Sequence, residues 1–331
     1  MESTSKVHLP HAELADLAKK VIGTELRESV EITEGWFNTI YRLSFTNDVQ
    51  VGLKIAPRRQ FEPMTYEKDL LHAEIGVQTL LLERGIPGTH VVAHGRDTLA
   101  GEPMDWFMYK WVDGENLSSA RKTMDEPAQQ RADDEVAELS ARINSIGGKR
   151  FGRWHKDNCA APRWPDSFTA MVEDLIGDAV RKSVALPWEQ SELRERLAAT
   201  HPSLSLVEEP RLVIWDLHDG NIIVNPDTGG VHAVIDGDRA LWGDPLMEFY
   251  FRSFNSPSKR WQNAYRKHVD GYMSQMVLES RDARIRIAWY DLYLALVMVI
   301  ESEYRKYPPG HDAWAREMGT TALQRLRDLP A

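Results

Sequence analysis

Asp216 and Asn221 lie on one short segment, Trp215-Asp216-Leu217-His218-Asp219-Gly220-Asn221, and Asp236 follows fifteen residues later behind an apolar run. A carboxylate at the first position can orient a nucleophile by accepting its hydrogen bond. Asn and Asp at the other two can hold a hard cation through oxygen. Magnesium suits such a set, because it takes few ligands from protein and the rest from water and phosphate. Lys54, in Val51-Gly52-Leu53-Lys54-Ile55, adds a positive charge that can pair with phosphate oxygens. Phosphoryl transfer asks a protein mostly to position groups and neutralise charge, and these residue types do that.

Such groups need rigid carriers. Within Leu212–Pro245, three apolar runs (212–214, 222–224 and 231–235) alternate with clusters of Asp, Asn and Gly, which predicts short strands carrying polar loops, with Asp216, Asn221 and Asp236 at their ends. Upstream, residues 12–28 have helical spacing. Residues 31–33 and 40–45 read as strands around a turn at Gly35, and 49–56 as a strand with Lys54 on the face opposite Val51, Leu53 and Ile55. A helix over 66–84 places Glu67 and Glu74 on its polar face and stops at Gly85 and Pro87. Strands at 91–94 and 106–112 complete an antiparallel sheet crossed by one helix.

Beyond Gly114 the pattern is mainly helical, with helices expected over 126–146, from an Asp166 cap to about 184, and over 189–199, 245–252, 259–280, 284–306 and 312–327. The fold class is therefore α+β with two lobes, residues 1–112 and 113–331, joined at a hinge about 108–114.

Composition narrows the function classes. The 40 basic and 50 acidic residues give a net charge of −10, which speaks against nucleic acid and for small cationic ligands. A single cysteine, Cys159, excludes an internal disulfide framework, and residues 1–20 lack the apolar core of a signal peptide, so a cytoplasmic protein is expected. The longest apolar run, 287–300, contains Asp291 and reads as a buried helix, so no membrane partner is expected.

The motifs Asp216-Leu-His-Asp-Gly-Asn221 and Ile235-Asp-Gly-Asp-Arg-Ala-Leu-Trp-Gly-Asp-Pro245 resemble the catalytic and metal loops of the aminoglycoside phosphotransferase and choline kinase-like family, which has a protein kinase-like fold. The resemblance implies that Asp216 is the catalytic base, that Asn221 and Asp236 hold Mg2+ with help from Asp238, and that ATP is the co-substrate. Residues 34–43 are similar to the nucleotide loop of that family, which brings in Gly35 and Asn38. By the same similarity Glu74 pairs with Lys54, and Met108, Lys110 and Trp111 form the interlobe hinge whose backbone faces adenine. His218, Asp219, Asp244 and Cys159 are read as structural. Two departures stand out: Ile214-Trp215 replaces the usual His-Gly before the base, and Gly237 replaces a bulky residue, leaving a space for Trp215 or Trp242.

The resemblance implies a small hydroxylated acceptor, of the aminoglycoside antibiotic type or a metabolic alcohol such as choline, homoserine or a sugar. Acidic residues that could read a cationic acceptor are Asp178, Glu248 and Asp291, the last because a charge in an apolar run needs a partner or a cavity. A nucleotide-binding regulator without transfer, and a metal-dependent hydrolase built on Asp216, His218, Asp236 and Asp238, are the readings from other classes.

Overall fold

The computed structural model describes residues 5–33, 37–58, 60–155, 158–248, 259–268 and 280–329. Its first layer is a five-stranded antiparallel sheet built from β1 (Leu26–Ile32), β2 (Thr39–Phe45), β3 (Gln50–Ile55), β4 (Val91–Leu99) and β5 (Glu102–Lys110), in the order β1-β2-β3-β5-β4. Val51, Leu53 and Ile55 of β3 pack with Leu43, Phe45 and Met108 on one face, under α1 (His11–Ile22) with its buried Leu14 and Leu17. Helix α1 ends earlier than the sequence spacing suggested. Gly23 takes φ +78° and its N–H bonds to the Lys19 carbonyl at 3.0 Å, a left-handed cap that releases the chain into β1.

Across the other face runs α2 (Leu70–Glu83), preceded by a single 3-10 turn at Thr65–Glu67. Its Val77 and Leu81 join the larger hydrophobic core of the helical part, so α2 ties the two cores together. That second core is built on α3 (Leu117–Ala120), α4 (Glu126–Asn144), α5 (Trp164–Arg181), α6 (Gln190–Ala199), α7 (His201–Leu204), α8 (Lys259–His268), α9 (Arg281–Tyr304) and α10 (Ala313–Asp328). Helix α9 begins at Ser280, whose side chain accepts from Ala283 N–H, and is buried along most of its length. Helix α5 begins at Trp164, ahead of the expected Asp166 cap; Asp166 sits in its first turn, paired with Arg163 at 2.7 Å. No helix among the described residues is long and apolar enough to cross a membrane.

Two three-stranded sheets inside the helical part carry the loops of interest. One orders β10 (Val231–Val234), β9 (Ile222–Val224) and β6 (Glu115–Asn116); the other orders β7 (Gly152–Arg153), β11 (Leu241–Gly243) and β8 (Arg211–Val213). Strand β11 is too short to show a period in the sequence, yet Leu241 pairs with both Val213 and Arg153 and closes the second sheet. Parts of the expected helices over 245–252 and 259–280 fall outside the described residues.

Candidate active site

Asp216 stands three residues beyond the end of β8, and β8 is braced from behind. The Glu248 carboxylate accepts from Ile214 N–H and from Asn144 Nδ2 (3.1 Å), while Asn144 Nδ2 also donates to Leu212 O at 2.9 Å and its Oδ1 accepts from Tyr265 Oη at 2.8 Å. Replacing Glu248 with Ala strands a buried N–H and a buried amide. The expected cost is about 1–3 kcal/mol of stability, read as a lower urea midpoint at unchanged m-value.

Trp215, directly before Asp216, has φ +65°. A left-handed backbone there costs about 1–2 kcal/mol for a residue other than glycine, which accounts physically for glycine at this position in the resembled motif. Trp215 is held in place because its ring is buried, 2% exposed, and lies 5.4 Å from Tyr293. Truncating a buried aromatic costs about 3–5 kcal/mol. Trp215→Gly should therefore destabilise by about 2 kcal/mol despite relieving the backbone; a gain in stability on denaturant titration would refute this account of the site.

The 3-10 turn Asp219–Asn221 follows, capped by His218 Nδ1 accepting from Gly220 N–H at 2.9 Å. His218 thus works within the loop, as does Asp219, which pairs with Arg121 at 2.6 Å. Asn221 Nδ2 donates to the Asp216 carbonyl at 2.9 Å, so the loop closes on itself and the amide oxygen of Asn221 is left to act as a ligand. Asp244 accepts from Tyr290 Oη at 2.6 Å and pairs with Arg286 at 3.1 Å, holding the turn after β11 to α9.

Asp236 follows β10, also with positive φ (+60°). Its Oδ1 lies 2.6 Å from Lys54 Nζ, and Lys54 Nζ lies 2.5 Å from Glu74 Oε2. The ammonium is 3% exposed and sits between two carboxylates contributed by α2 and by the loop after β10. Burial works to lower the Lys54 pKa, but Asp236, Glu74 and Asp238 outweigh it and hold the ammonium well above its ordinary value. Burial pushes Glu74 up to about 7 against the pull of Lys54. Asp236 is exposed enough to keep its ion pair, and Lys54 holds it below the usual carboxylate range in spite of desolvation. Burial together with the neighbouring Asp236 and Glu74 raises Asp238. Glu67, the other acid on the polar side of this segment, pairs instead with Arg305 at 2.6 Å.

Ligand oxygens of Glu74, Asp236 and Asp238 all lie within 4.8 Å of one another. With the Asn221 amide nearby on the same loop system, this all-oxygen set fits a hard divalent cation.

Several expectations are corrected. The Lys110 N–H bonds to His90 O at 2.8 Å and the Trp111 N–H to Gln50 O at 3.2 Å, and Met108 is fully buried in the sheet opposite Leu53. The N–H groups of Lys110 and Trp111 are therefore already used within the sheet. The ring beside the lysine strand belongs to Tyr109: a Cβ on Gly52 would come within 2.1 Å of it. Asn38 is 5% exposed, with an Oδ1 that has no hydrogen-bond partner among the described residues; Gly35 lies outside those residues. The space beside Gly237 is filled by Val77 of α2, 2.7 Å from a Cβ built there, with Ile214 at 3.9 Å, and not by a tryptophan.

The three carboxylates expected to read a cationic acceptor are interior groups with partners of their own. Asp178 accepts from Thr65 N (2.7 Å) and Thr65 Oγ1 (2.6 Å) and pairs with Arg181 at 2.7 Å. Glu248 braces β8, and Asp291 pairs with Arg325 at 3.0 Å. Each is 2% exposed or less.

Sequence reasoning gave no role to Arg239, although it lies inside the quoted loop, three residues after Asp236. Its Nε lies 3.9 Å from Asp216 Oδ2, and its Nη2 lies 3.6 Å from Glu301, which also pairs with Arg305. An arginine beside two acids in a loop motif is a signal the sequence did carry.

Comparison with known proteins places this geometry. The model of the phosphotransferase enzyme family matches residues 28–278. Among solved structures, a candidate fructosamine-3-kinase from Thermobifida fusca superposes with a TM-score of 0.67 at 18% identity, over 95% of this chain and 98% of that one. A thermostable mutant of aminoglycoside phosphotransferase APH(4)-Ia, in a ternary complex with AMP-PNP and hygromycin B, gives 0.65 at 16% identity over 95% and 98%. The GDP complex of aminoglycoside 2'-phosphotransferase-IIIa gives 0.57 at 15% over 96% and 97%. These likenesses establish a shared fold. No curated protein matches the sequence.

Proposed function

The chain belongs to the phosphotransferase enzyme family, and from that membership we propose that it moves the γ-phosphoryl group of ATP, with Mg2+, to a hydroxyl of a small molecule. The observation that carries this reading is Lys54 bridging Glu74 and Asp236 at 2.5 and 2.6 Å, because that bridge joins the sheet to the Asp236 loop, whose Ile235 N–H bonds at 2.9 Å to the carbonyl of Asn221 in the loop that also holds Asp216. The residues before and after the hinge then act as two lobes around one cleft.

In this reading the acceptor hydroxyl donates a hydrogen bond to the Asp216 carboxylate. Its oxygen forms a bond to the γ-phosphorus as the bond to the β–γ bridging oxygen breaks; ADP leaves and the hydroxyl proton passes to Asp216. Transfer is direct, with no covalent phosphoenzyme. Asn221, Asp236 and Asp238 would hold Mg2+, which when bound neutralises phosphate charge. Lys54 pairs with phosphate oxygens while Glu74 keeps its ammonium charged and aimed. A hydrolase built only on Asp216, His218, Asp236 and Asp238 leaves that lysine bridge without a purpose, and His218 is used within its own loop.

Asp178, Glu248 and Asp291 are engaged within the fold, so other residues set the choice between an antibiotic and a metabolic alcohol as the acceptor. ADP release with Mg·ATP and a panel of hydroxylated acceptors tests the reading. Acceptor-dependent ADP is expected. Nucleotide binding with no acceptor-dependent ADP across the panel would support the regulator reading, and product formation without ATP would support the hydrolase.

A further inference from the structure

Around Arg239, the neighbour of Asp216, the structure gathers buried hydrogen-bond donors that have no acceptor among the described residues. Tyr66 is 1% exposed and its hydroxyl has no partner among the described residues. Arg153 is 5% exposed; its Nη2 bonds to Tyr293 Oη, but its Nε has no partner among the described residues. Both Arg153 and Arg239 lie against the Tyr66 ring, 5.0 and 5.5 Å from its centroid, and Arg239 also lies 5.8 Å from the Trp215 ring. Arg239 approaches two carboxylates, Asp216 and Glu301, at 3.9 and 3.6 Å, distances beyond a hydrogen bond.

Other charged groups also face this cluster: Asp236 and Asp238 act on Arg239, and Arg305 has an Nε without a partner among the described residues. Arg305 holds both Glu67 and Glu301. Three guanidinium groups, those of Arg153, Arg239 and Arg305, therefore face five carboxylates, those of Glu67, Glu301, Asp216, Asp236 and Asp238, the last two being the carboxylates gathered around Lys54 and Glu74. The feature that sets the cluster apart is its unmatched donors and not a net charge. Buried donors without acceptors are costly, and an oxyanion with several lone pairs satisfies more than one at once. An ammonium group placed there would meet guanidinium groups and leave the donors unmatched.

We propose that Arg239, Tyr66 and Arg153 form a subsite for an oxyanion, a carboxylate or a phosphate, carried by the acceptor whose hydroxyl Asp216 engages. The inference rests on the kinase reading for its position next to the base, and it makes the acceptor an anionic alcohol such as a sugar acid or a sugar phosphate. Arg239 is then a specificity residue: it selects the acceptor and takes no proton.

Inorganic phosphate is the first probe. With saturating Mg·AMP-PNP filling the nucleotide site, titration calorimetry of the full chain should show saturable phosphate binding. Arg239→Gln should weaken it about tenfold or more and isosteric Tyr66→Phe about fivefold, since hydrogen bonds to charged groups exceed neutral ones. Arg239→Lys should restore part of the loss.

A matched acceptor series is the second probe: gluconate and a sugar phosphate against sorbitol and glucamine, with the two anions separating carboxylate from phosphate recognition. An anionic member should give the highest kcat/KM, and Arg239→Gln should raise its KM by a larger factor than it raises the KM of sorbitol. Phosphate binding that is absent, or equal in Arg239→Gln, would overturn the subsite, as would preferred turnover of glucamine. Failure of Mg·AMP-PNP to bind would instead sink the kinase reading, because the dependence of phosphate binding on Arg239 is also measured without nucleotide.

Discussion

Asp216→Asn is expected to lower kcat by about 10²–10⁴-fold, the usual contribution of a positioned general base, while Mg·ATP affinity stays unchanged. The substitution is isosteric, and the contact that shapes the loop is made by the Asp216 carbonyl, which accepts from Asn221 Nδ2 at 2.9 Å. The side chain lost to the chemistry has no hydrogen bond of its own to break among the described residues: its charged neighbours, His218 and Arg239, lie 3.8 and 3.9 Å away. Folding and ligand geometry should therefore survive. Steady-state turnover measured beside calorimetric nucleotide binding separates the two effects, and a parallel loss of both would assign Asp216 to structure.

Lys54→Met carries the second large effect, and it falls on stability as well as activity. The Lys54 ammonium lies between Glu74, 5% exposed, and Asp236, with Asp238 close behind. Removing it leaves carboxylates facing one another in the interior. Breaking a buried ion pair by deleting one partner costs about 3–5 kcal/mol, with the lower end expected because Asp236 keeps 38% of its side chain exposed. The penalty comes from stranded negative charge, so adding Glu74→Gln in the same chain should recover much of it, a coupling that a double-mutant cycle reads directly. Mg2+ should also raise the melting temperature of Lys54→Met, since a ligand that binds the folded state stabilises it. A melting temperature insensitive to Mg2+ would contradict the assignment of these oxygens as a cation site.

The parts of the site visible in the sequence were local. Asp216, Asn221 and Asp236 are fixed by short spacings at strand ends, and the strands that carry them appear where apolar runs alternate with Asp, Asn and Gly. The five-stranded sheet was legible for the same reason, as was the crossing helix. The end of α1 was marked by Gly23, a cap that the helical spacing of neighbouring residues obscured.

The parts that were missed are set by tertiary partners. An acid in a helix has the same letter whether it faces solvent or an arginine, so nothing local showed that Asp291 meets Arg325 or that Asp178 meets Thr65. The donors around Tyr66 come from positions 66, 153 and 239, on three separate segments, with no period connecting them. Backbone donors leave no trace in residue type, so only the sheet pairing shows that Lys110 and Trp111 N–H are already bonded.

The most direct test of the central claim follows the phosphoryl group itself. With ATP labelled at the γ-phosphorus, Mg2+ and a hydroxylated acceptor, the label is predicted to appear in an ester of the acceptor, with none on the protein, and to stay in ATP when Asp216→Asn replaces the native chain. Label on a protein side chain, or ester formed at the native rate by Asp216→Asn, would contradict it.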